Sequence, residues 1–441
     1  MTEVKQQGMT RRGFTKTLTS TGVGLAAMAQ GPFVQKVLGA NEQINMAVIG
    51  VRGQGRHDSY QLMNCEGVKF VAACDVDQRE LEHYLSRVED EKGQTMKPCH
   101  DFREVLDMND VDAVVIATPD HWHALPFVYA CEAGKDIYVE KPIAHNITEG
   151  RAMVNAARKF KRVVQVGSQQ RSDQVFQDAI DFVRSGKLGD IHLCRAWILG
   201  NSSGIGHVSP SNPPEGFDWD MWLGPAPYQL YRANMNHWNW RWFFDFAGGQ
   251  TADWGVHMMD IICLAMGQWD PIEVSSHGGT FVLDDDRDTP DTQIAVFKFP
   301  DFVLHWEVRW GNGRPLDGFS EGHGSEWIGT NGTLGVNRGR WEVFSEGDRL
   351  KEKPETVNPV QSNHHQNFVD CIRSRQTPRS DIESMHKTTT LCHLANIAFR
   401  TGKKLEWDAD QEIITNEPSA MDCPQYRREY RAPWHLPFHK A

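Results

Sequence analysis

A chain of 441 residues exceeds what one small domain packs, and two domains are expected. Acidic residues outnumber basic ones 58 to 46, and the formal net charge of -12 argues against a nucleic-acid partner, since nothing would neutralise a phosphate backbone. Hydrophobic residues make up 40% of the chain, enough for globular cores, yet past residue 40 no run approaches the roughly 18 apolar residues of a membrane span, so no membrane anchoring is expected of the mature chain.

Residues 1–40 read as an address and stay outside the fold. Arg11-Arg12-Gly13-Phe14-Thr15-Lys16 sets a twin arginine before an aromatic, a mildly apolar stretch runs from Thr21 to Ala29, and Leu38-Gly39-Ala40 offers a small-residue cleavage site. The segment resembles a twin-arginine export signal, which implies a periplasmic or otherwise exported mature protein; the alternative is a disordered basic N-terminus. Nine cysteines include no CxxC pair, and Cys74 and Cys263 sit in apolar runs where cysteine acts as a small buried hydrophobe. Neither a metal site nor a disulfide framework is expected.

From residue 41 to about 165, strand and helix signals alternate. Ile44 to Val51, Val68 to Cys74, Asp112 to Thr118 and Asp136 to Glu140 read as strands, with a helix around Ala124 to Ala133. This alternation predicts a doubly wound parallel sheet of α/β class. The first strand ends in Gly50-Val51-Arg52-Gly53-Gln54-Gly55, where strand end and helix start would meet a dinucleotide pyrophosphate. Asp75 lies about 25 residues beyond Gly50, near the spacing of a carboxylate that bonds the adenosine ribose. A carboxylate there repels a 2′-phosphate, so NAD is expected and NADP disfavoured. The glycines run G-x-x-G-x-G, which puts Arg52 where the usual second glycine stands; its side chain either crowds the pyrophosphate or helps to hold it.

Two later strand ends carry Ala117-Thr118-Pro119-Asp120-His121-Trp122-His123 and Val139-Glu140-Lys141-Pro142. Further on come Gln165-Val166-Gly167-Ser168-Gln169-Gln170-Arg171, Trp219 to Pro225, the stretch from Arg241 to Asp260, and Asn367 to Ser374. With the glycine turn and Asp75, this set resembles the Gfo/Idh/MocA family (glucose-fructose oxidoreductase, inositol dehydrogenase and relatives) over nearly all of residues 44 to 408. The Glu-Lys-Pro tripeptide is its most specific short signature. The resemblance implies a Rossmann domain over 41–165, followed over 166–441 by a substrate-binding α/β domain. That second domain has a large open, mostly antiparallel sheet whose outer face joins subunits of a homodimer or homotetramer. Ile272 to Val282, Thr292 to Phe299 and Phe302 to Trp310 read as consecutive strands and agree. A small carbohydrate or polyol substrate is implied as well, and cofactor contacts by Gly50, Arg52, Gly53, Gly55, Asp75, Thr118, Pro119, His121, His123, Glu140 and Lys141.

Oxidising an alcohol with a nicotinamide requires a base for the hydroxyl proton and a donor for the developing alkoxide. Lys141 precedes a proline at the end of a predicted parallel strand, where open α/β sheets place their ligand crevice. Asp253 and His257 stand at i and i+4, on one face if the segment is helical, so that the carboxylate would favour a charged, oriented imidazole. Gly248-Gly249 would let the backbone approach a ligand. The resemblance assigns His257 as proton acceptor and Asp253 as an orienting or polarising group; the order in which Lys141 and His257 handle the proton stays open. Arg171 is a candidate for substrate hydroxyls or for a structural salt bridge, and Trp240 for sugar stacking or for core packing. Asp284-Asp285-Asp286 reads as a solvated hairpin tip.

The expected function is NAD-dependent hydride transfer at a hydroxyl carbon of a sugar, glycoside or cyclitol, with a tightly held cofactor. Free NAD is scarce outside the cytosol, which motivates redox-neutral glycoside cleavage, epimerisation or sugar–sugar oxidoreduction as the alternative. A non-catalytic nucleotide-binding protein is the third.

Overall fold

The computed structural model describes residues 43–314, 322–350 and 363–437; the twin-arginine segment lies outside them. The first sheet is wound from β1 (Ile44–Ile49), α1 (Gly53–Met63), β2 (Val68–Cys74), α2 (Gln78–Lys92), β3 (Lys97–Cys99), α3 (Phe102–Leu106), β4 (Ala113–Ile116), α4 (Ala124–Glu132), β5 (Asp136–Val139), α5 (Ile147–Phe160) and β6 (Val164–Val166). All six strands are parallel, in the order β3-β2-β1-β4-β5-β6. Strands covered on both faces need near-continuous apolar sequence, and β4 and β5 are buried at every position. The register pairs Ile49 with Cys74 and Ile116, Ile116 with Val139, and Val139 with Val166. The residues that follow, Gly50, Asp75, Ala117, Glu140 and Gly167, therefore emerge side by side along one edge. The strand order reverses between β1 and β4, the switch point where such sheets hold ligands.

After α6 (Gln174–Arg184) come β7 (Ile191–Leu199), α7 (Trp219–Leu223), α8 (Gly249–Asp253), α9 (Gly255–Met266), β8 (Glu273–Gly279), β9 (Thr292–Lys298), β10 (Val303–Arg309), β11 (His323–Gly329), β12 (Gly332–Val336) and β13 (Trp341–Ser345). The long helices α10 (His364–Ser374) and α11 (Ile382–Thr401) and the strands β14 (Leu405–Asp408) and β15 (Ile413–Ile414) complete the order. The second sheet runs β13-β12-β11-β7-β10-β9-β8-β14-β15 and is antiparallel except for the β7–β10 pair. Strand β9 alternates cleanly: Gln293, Ala295 and Phe297 are buried, while Ile294 and Val296 face outward. Helices α9 and α11 cover the inner face. One hydrophobic cluster runs from Ile49 and Ile116 through α9 and α11 to Phe297 and Trp306, so both sheets share a core and the groove between them is rigidly held.

Two expectations are corrected here. Arg171, on the 3-10 turn Gln169–Ser172, is fully buried and faces the core. Its Nε and Nη2 donate to the two carboxylate oxygens of Asp260 at 2.7 and 2.6 Å, and Nη1 donates to Ser384 Oγ at 2.7 Å. A guanidinium so satisfied has nothing left for a substrate, which removes the hydroxyl-binding role and leaves the salt bridge. In the acidic run only Asp284 is solvated. Asp285 pairs with buried Arg287 at 2.8 Å, and Asp286 accepts from Val208 N and Asn234 Nδ2, stapling the loop that carries residues 205–208.

Removing one partner of a buried bidentate pair strands the other charge. Arg171→Met is expected to destabilise the fold by about 3–5 kcal/mol in denaturant unfolding; wild-type stability together with weakened substrate binding would restore the role withdrawn here.

Candidate active site

The five strand ends open onto a cavity of about 680 Å³ between the two sheets, inside the roughly 300–1,000 Å³ of small-molecule and cofactor sites. At its nucleotide end the glycines are there for space. Gly50 has φ +86°, and a Cβ on it would lie 2.8 Å from the Ala117 carbonyl oxygen. A Cβ on Gly55 would lie 1.9 Å from the Gly50 carbonyl oxygen, so strand and helix can approach only without it. Helix α1 starts with no side-chain cap, which leaves first-turn N–H groups for a phosphate. Arg52 does not crowd that turn: its guanidinium swings out to Glu80 at 2.9 Å. Asp75 lines the cavity and accepts from Val51 N and Asp77 N, both at 3.0 Å, holding the turn from below; burial raises its pKa. Thr118 Oγ1 is buried beside the cavity with no partner among the described residues. Open helix donors, a glycine cradle and an orphan hydroxyl fit a dinucleotide.

Deeper in, the first domain meets the second. Lys141, just beyond β5, donates from Nζ to Asp253 Oδ1 at 2.8 Å and to the Asp253 carbonyl oxygen at 3.0 Å. Arg241 brings Nε to 3.3 Å from the same Oδ1. Burial works to raise the Asp253 pKa, but Lys141 and Arg241 outweigh it and hold the carboxyl well below its usual range. Asp120 lies buried beside it, and burial together with the Asp253 charge pushes its pKa far up, so it keeps its proton. His257 lines the same wall. The helix breaks at Trp254, between α8 and α9, so Asp253 and His257 do not share one continuous helix face. The carboxylate is engaged by Lys141 rather than by the imidazole, whose Nδ1 is buried with no hydrogen-bond partner among the described residues. Burial, then the Lys141 and Arg338 charges, depress the His257 pKa far below the ordinary value. The expected charged imidazole is thus corrected to a neutral one.

Behind Lys141 sits a feature the sequence reading did not single out. Glu140 accepts from Lys141 N at 3.2 Å and from Gln169 Nε2 at 3.3 Å, in space that Gly167 leaves open: a Cβ there would lie 1.9 Å from Glu140 Oε1. Near it lies Asp58, a fully buried residue on α1 whose charge also acts on Glu140. Burial raises the pKa of both, Asp58 to about 7, and for Glu140 the nearby Asp58 charge adds to the effect. Gln54 Nε2 donates to Asp58 Oδ1 at 3.0 Å and His365 Nε2 lies 3.0 Å from it, tying the pair to α10.

The other candidates divide. Pro119, His123 and Trp240 line the cavity. His123 sets its ring nitrogens 2.8 Å from the carbonyl oxygens of Pro142 and Thr118, bracing the two loops against each other. Trp240 has one face taken by Arg241, which is also stacked on Trp238. His121 does not reach the cavity: it is fully buried between Trp222 and Phe246 with Nε2 2.9 Å from the Trp222 carbonyl oxygen, a packing role that corrects its cofactor assignment. Gly248 and Gly249 face Ala252, Asn396 and Thr289 instead of a ligand. Arg241, Asp120 and Trp254 stood inside stretches singled out by sequence, yet nothing in their spacing pointed to one wall. Arg338, on the turn after β12, carried no sequence signal.

Beyond Asp75 the second domain closes over the cleft. Phe217 bridges Asp77, Gln78 N donates to the Gly216 carbonyl oxygen, and His237 Nε2 lies 3.0 Å from Asp77 Oδ2.

The family profile described as the GFO_IDH_MocA oxidoreductase family, NAD-binding Rossmann fold, matches residues 44–168, and that of its C-terminal α/β domain matches 195–295 and 338–436. The scyllo-inositol 2-dehydrogenase (NAD(+)) of Bacillus subtilis is 24% identical over 380 residues, covering 83% of this chain and 97% of that one. Glycosyl hydrolase family 109 protein 1 of Shewanella sp. strain MR-4 is 26% identical over 197 residues, and the match spans only 43% of its length. The solved levoglucosan dehydrogenase, in complex with NADH and levoglucosan, superposes with a TM-score of 0.63 at 18% identity over 82% of this chain and 99% of that one. Two domain profiles met in their own order along one chain carry the assignment: the protein belongs to the Gfo/Idh/MocA family of NAD-binding oxidoreductases.

Proposed function

We propose that this protein oxidises or reduces a hydroxyl carbon of a sugar, glycoside or cyclitol with tightly held NAD, and that Lys141 and His257 handle the proton. The observation that carries the reading is the Lys141–Asp253 pair at 2.8 Å beside a neutral His257, on one wall of the cavity that begins at the glycine turn. The Gly50–Gly55 turn and Asp75 would hold NAD, which would supply a hydride acceptor for the carbinol carbon. Lys141, held in place by Asp253, donates to the substrate oxygen and stabilises negative charge as it develops there. His257, kept neutral by burial and flanking cations, has a lone pair ready for the hydroxyl proton. Asp253 positions Lys141. The scyllo-inositol dehydrogenase relative, matched over 97% of its length, supports a polyol substrate, and Asp75 at the nucleotide end supports NAD over NADP.

The redox-neutral alternative draws on two observations: relatives named Glycosyl hydrolase family 109 protein 1 and alpha-N-acetylgalactosaminidase, each matched over less than half its length, and the segments that close over the cleft beyond Asp75. The same proposal includes export through the Arg11-Arg12 segment and self-association through the outer face of the second sheet, where Ile294 and Val296 stand exposed.

Three outcomes are expected. Protein purified without added nucleotide and then denatured releases close to one NAD or NADH per chain, read by mass and absorbance; NADP, or an empty cleft, goes against the reading. Lys141→Gln and His257→Asn each lower kcat with a competent polyol by about 10²–10⁴-fold while nucleotide content holds, and net NADH formation separates dehydrogenation from redox-neutral turnover. Because the base form of His257 persists far below the ordinary histidine pKa, kcat/KM for alcohol oxidation shows no acidic limb near the roughly 6.5 of free histidine. A limb there that His257→Asn abolishes would contradict the assignment.

A further inference from the structure

Four cations line the cavity: Arg52, Lys141, Arg241 and Arg338. Three have a carboxylate partner, Arg52 with Glu80 at 2.9 Å and Lys141 and Arg241 with Asp253 at 2.8 and 3.3 Å. Arg338 has none within ion-pair distance among the described residues. Its Nε and Nη2 donate to one neutral acceptor, Gln170 Oε1, at 3.3 and 3.2 Å, and its face lies on the Trp254 ring at 4.6 Å. The turn that carries it is held from beneath: Asn337 is fully buried, and its Oδ1 accepts from Gly339 N at 2.8 Å and Arg340 N at 2.9 Å. The stacked, backbone-fixed guanidinium is pre-organised at little further entropic cost.

Among the described residues, none of the acids facing it comes within ion-pair distance, and each has other partners. Asp253 is shared by two other cations, Glu140 accepts from Lys141 N and Gln169 Nε2, and Asp173 caps α6 through Val175 N at 3.1 Å. Trp254 sits between Asp253 and His257, with its ring 6.2 Å from the imidazole, so Arg338 lies against the wall that holds the proposed reacting groups. Among the described residues, Arg338 is thus the cationic side chain of the cavity with no carboxylate at ion-pair distance. A planar guanidinium with a free edge matches a carboxylate better than a lone hydroxyl.

Building on the reaction proposed above, we infer that the substrate is an acidic carbohydrate, a sugar acid of the uronate or aldonate type, whose carboxylate docks on Arg338 while a ring or chain hydroxyl meets Lys141 and His257.

The test is calorimetric titration of the NAD-loaded protein with matched pairs: glucuronate against glucose, galacturonate against galactose, gluconate against glucitol, and glucose 6-phosphate as a different oxyanion. At least one acid should bind 10-fold or more tighter than its neutral partner. Arg338→Met should collapse that preference by 10–100-fold, and Arg338→Lys should recover part of it. Equal binding of every pair, a preference that survives Arg338→Met, or tighter binding of the phosphate than of any carboxylate overturns the inference. Absorbance at 340 nm and product analysis in the same samples report on the reaction separately. Acid binding that depends on Arg338 without any turnover keeps this inference and removes the proposed activity. Turnover of neutral polyols with no acid preference keeps the activity and removes the inference.

Discussion

Lys141 and Asp253 are 112 positions apart in the chain and meet at 2.8 Å. One stands at the carboxyl end of β5 in the parallel sheet, the other at the end of α8 in the second domain. Their pair is largely withdrawn from water, where an unpaired partner would be costly, so the charge that the first domain presents at Lys141 is met by a carboxylate of the second. The rest of the cleft is arranged around that constraint. Arg241 reinforces Asp253 from the second domain, and the continuous hydrophobic core beneath holds both sheets in the spacing the pair requires.

Placing two cations on one carboxylate has consequences for every titratable group nearby. Asp253 stays ionised, and its charge joins with burial to keep Asp120 protonated. The imidazole of His257, beside Lys141 and Arg338 and out of water, stays neutral. Burial raises the pKa of Glu140 and of Asp58 behind it, which disfavours two charges there. Desolvation and a few close charges thus push the carboxyls and the histidine of this cavity wall in different directions, as proton transfer near neutral pH demands. The proposed chemistry uses that sorting: a charged donor at Lys141 next to a lone pair at His257.

The aromatic shell supplies shape. Trp238 and Trp240 sandwich the Arg241 guanidinium, and Trp254 supports that of Arg338. Cations stacked this way are held in place with much of their hydrogen-bonding edge unspent. His121 and Trp122, read by sequence as part of the cofactor loop, tie that loop to α7: both the His121 ring and the Trp122 indole N–H engage the Trp222 carbonyl oxygen. They serve the site by fixing its walls.

Read alone, the sequence was enough for everything that is local or periodic. Apolar runs of strand length broken by helical stretches determined the parallel sheet, because strands buried on both faces tolerate little polarity. The glycine turn and Asp75 marked the nucleotide end, because only glycine fits where backbone meets backbone at Gly50 and Gly55. Lys141, Asp253 and His257 were legible through the resemblance that their flanking motifs carry. Only the tertiary structure decided how charges are shared. Whether Arg171 faced a substrate or Asp260, whether Asp253 served His257 or Lys141, and which cation meets Gln170 instead of an acid among the described residues all depend on side chains brought together from distant positions. Spacing cannot report this, because an ion pair is set by distance and burial in space, and a one-residue break such as that at Trp254 redirects a side chain without a trace in the local pattern.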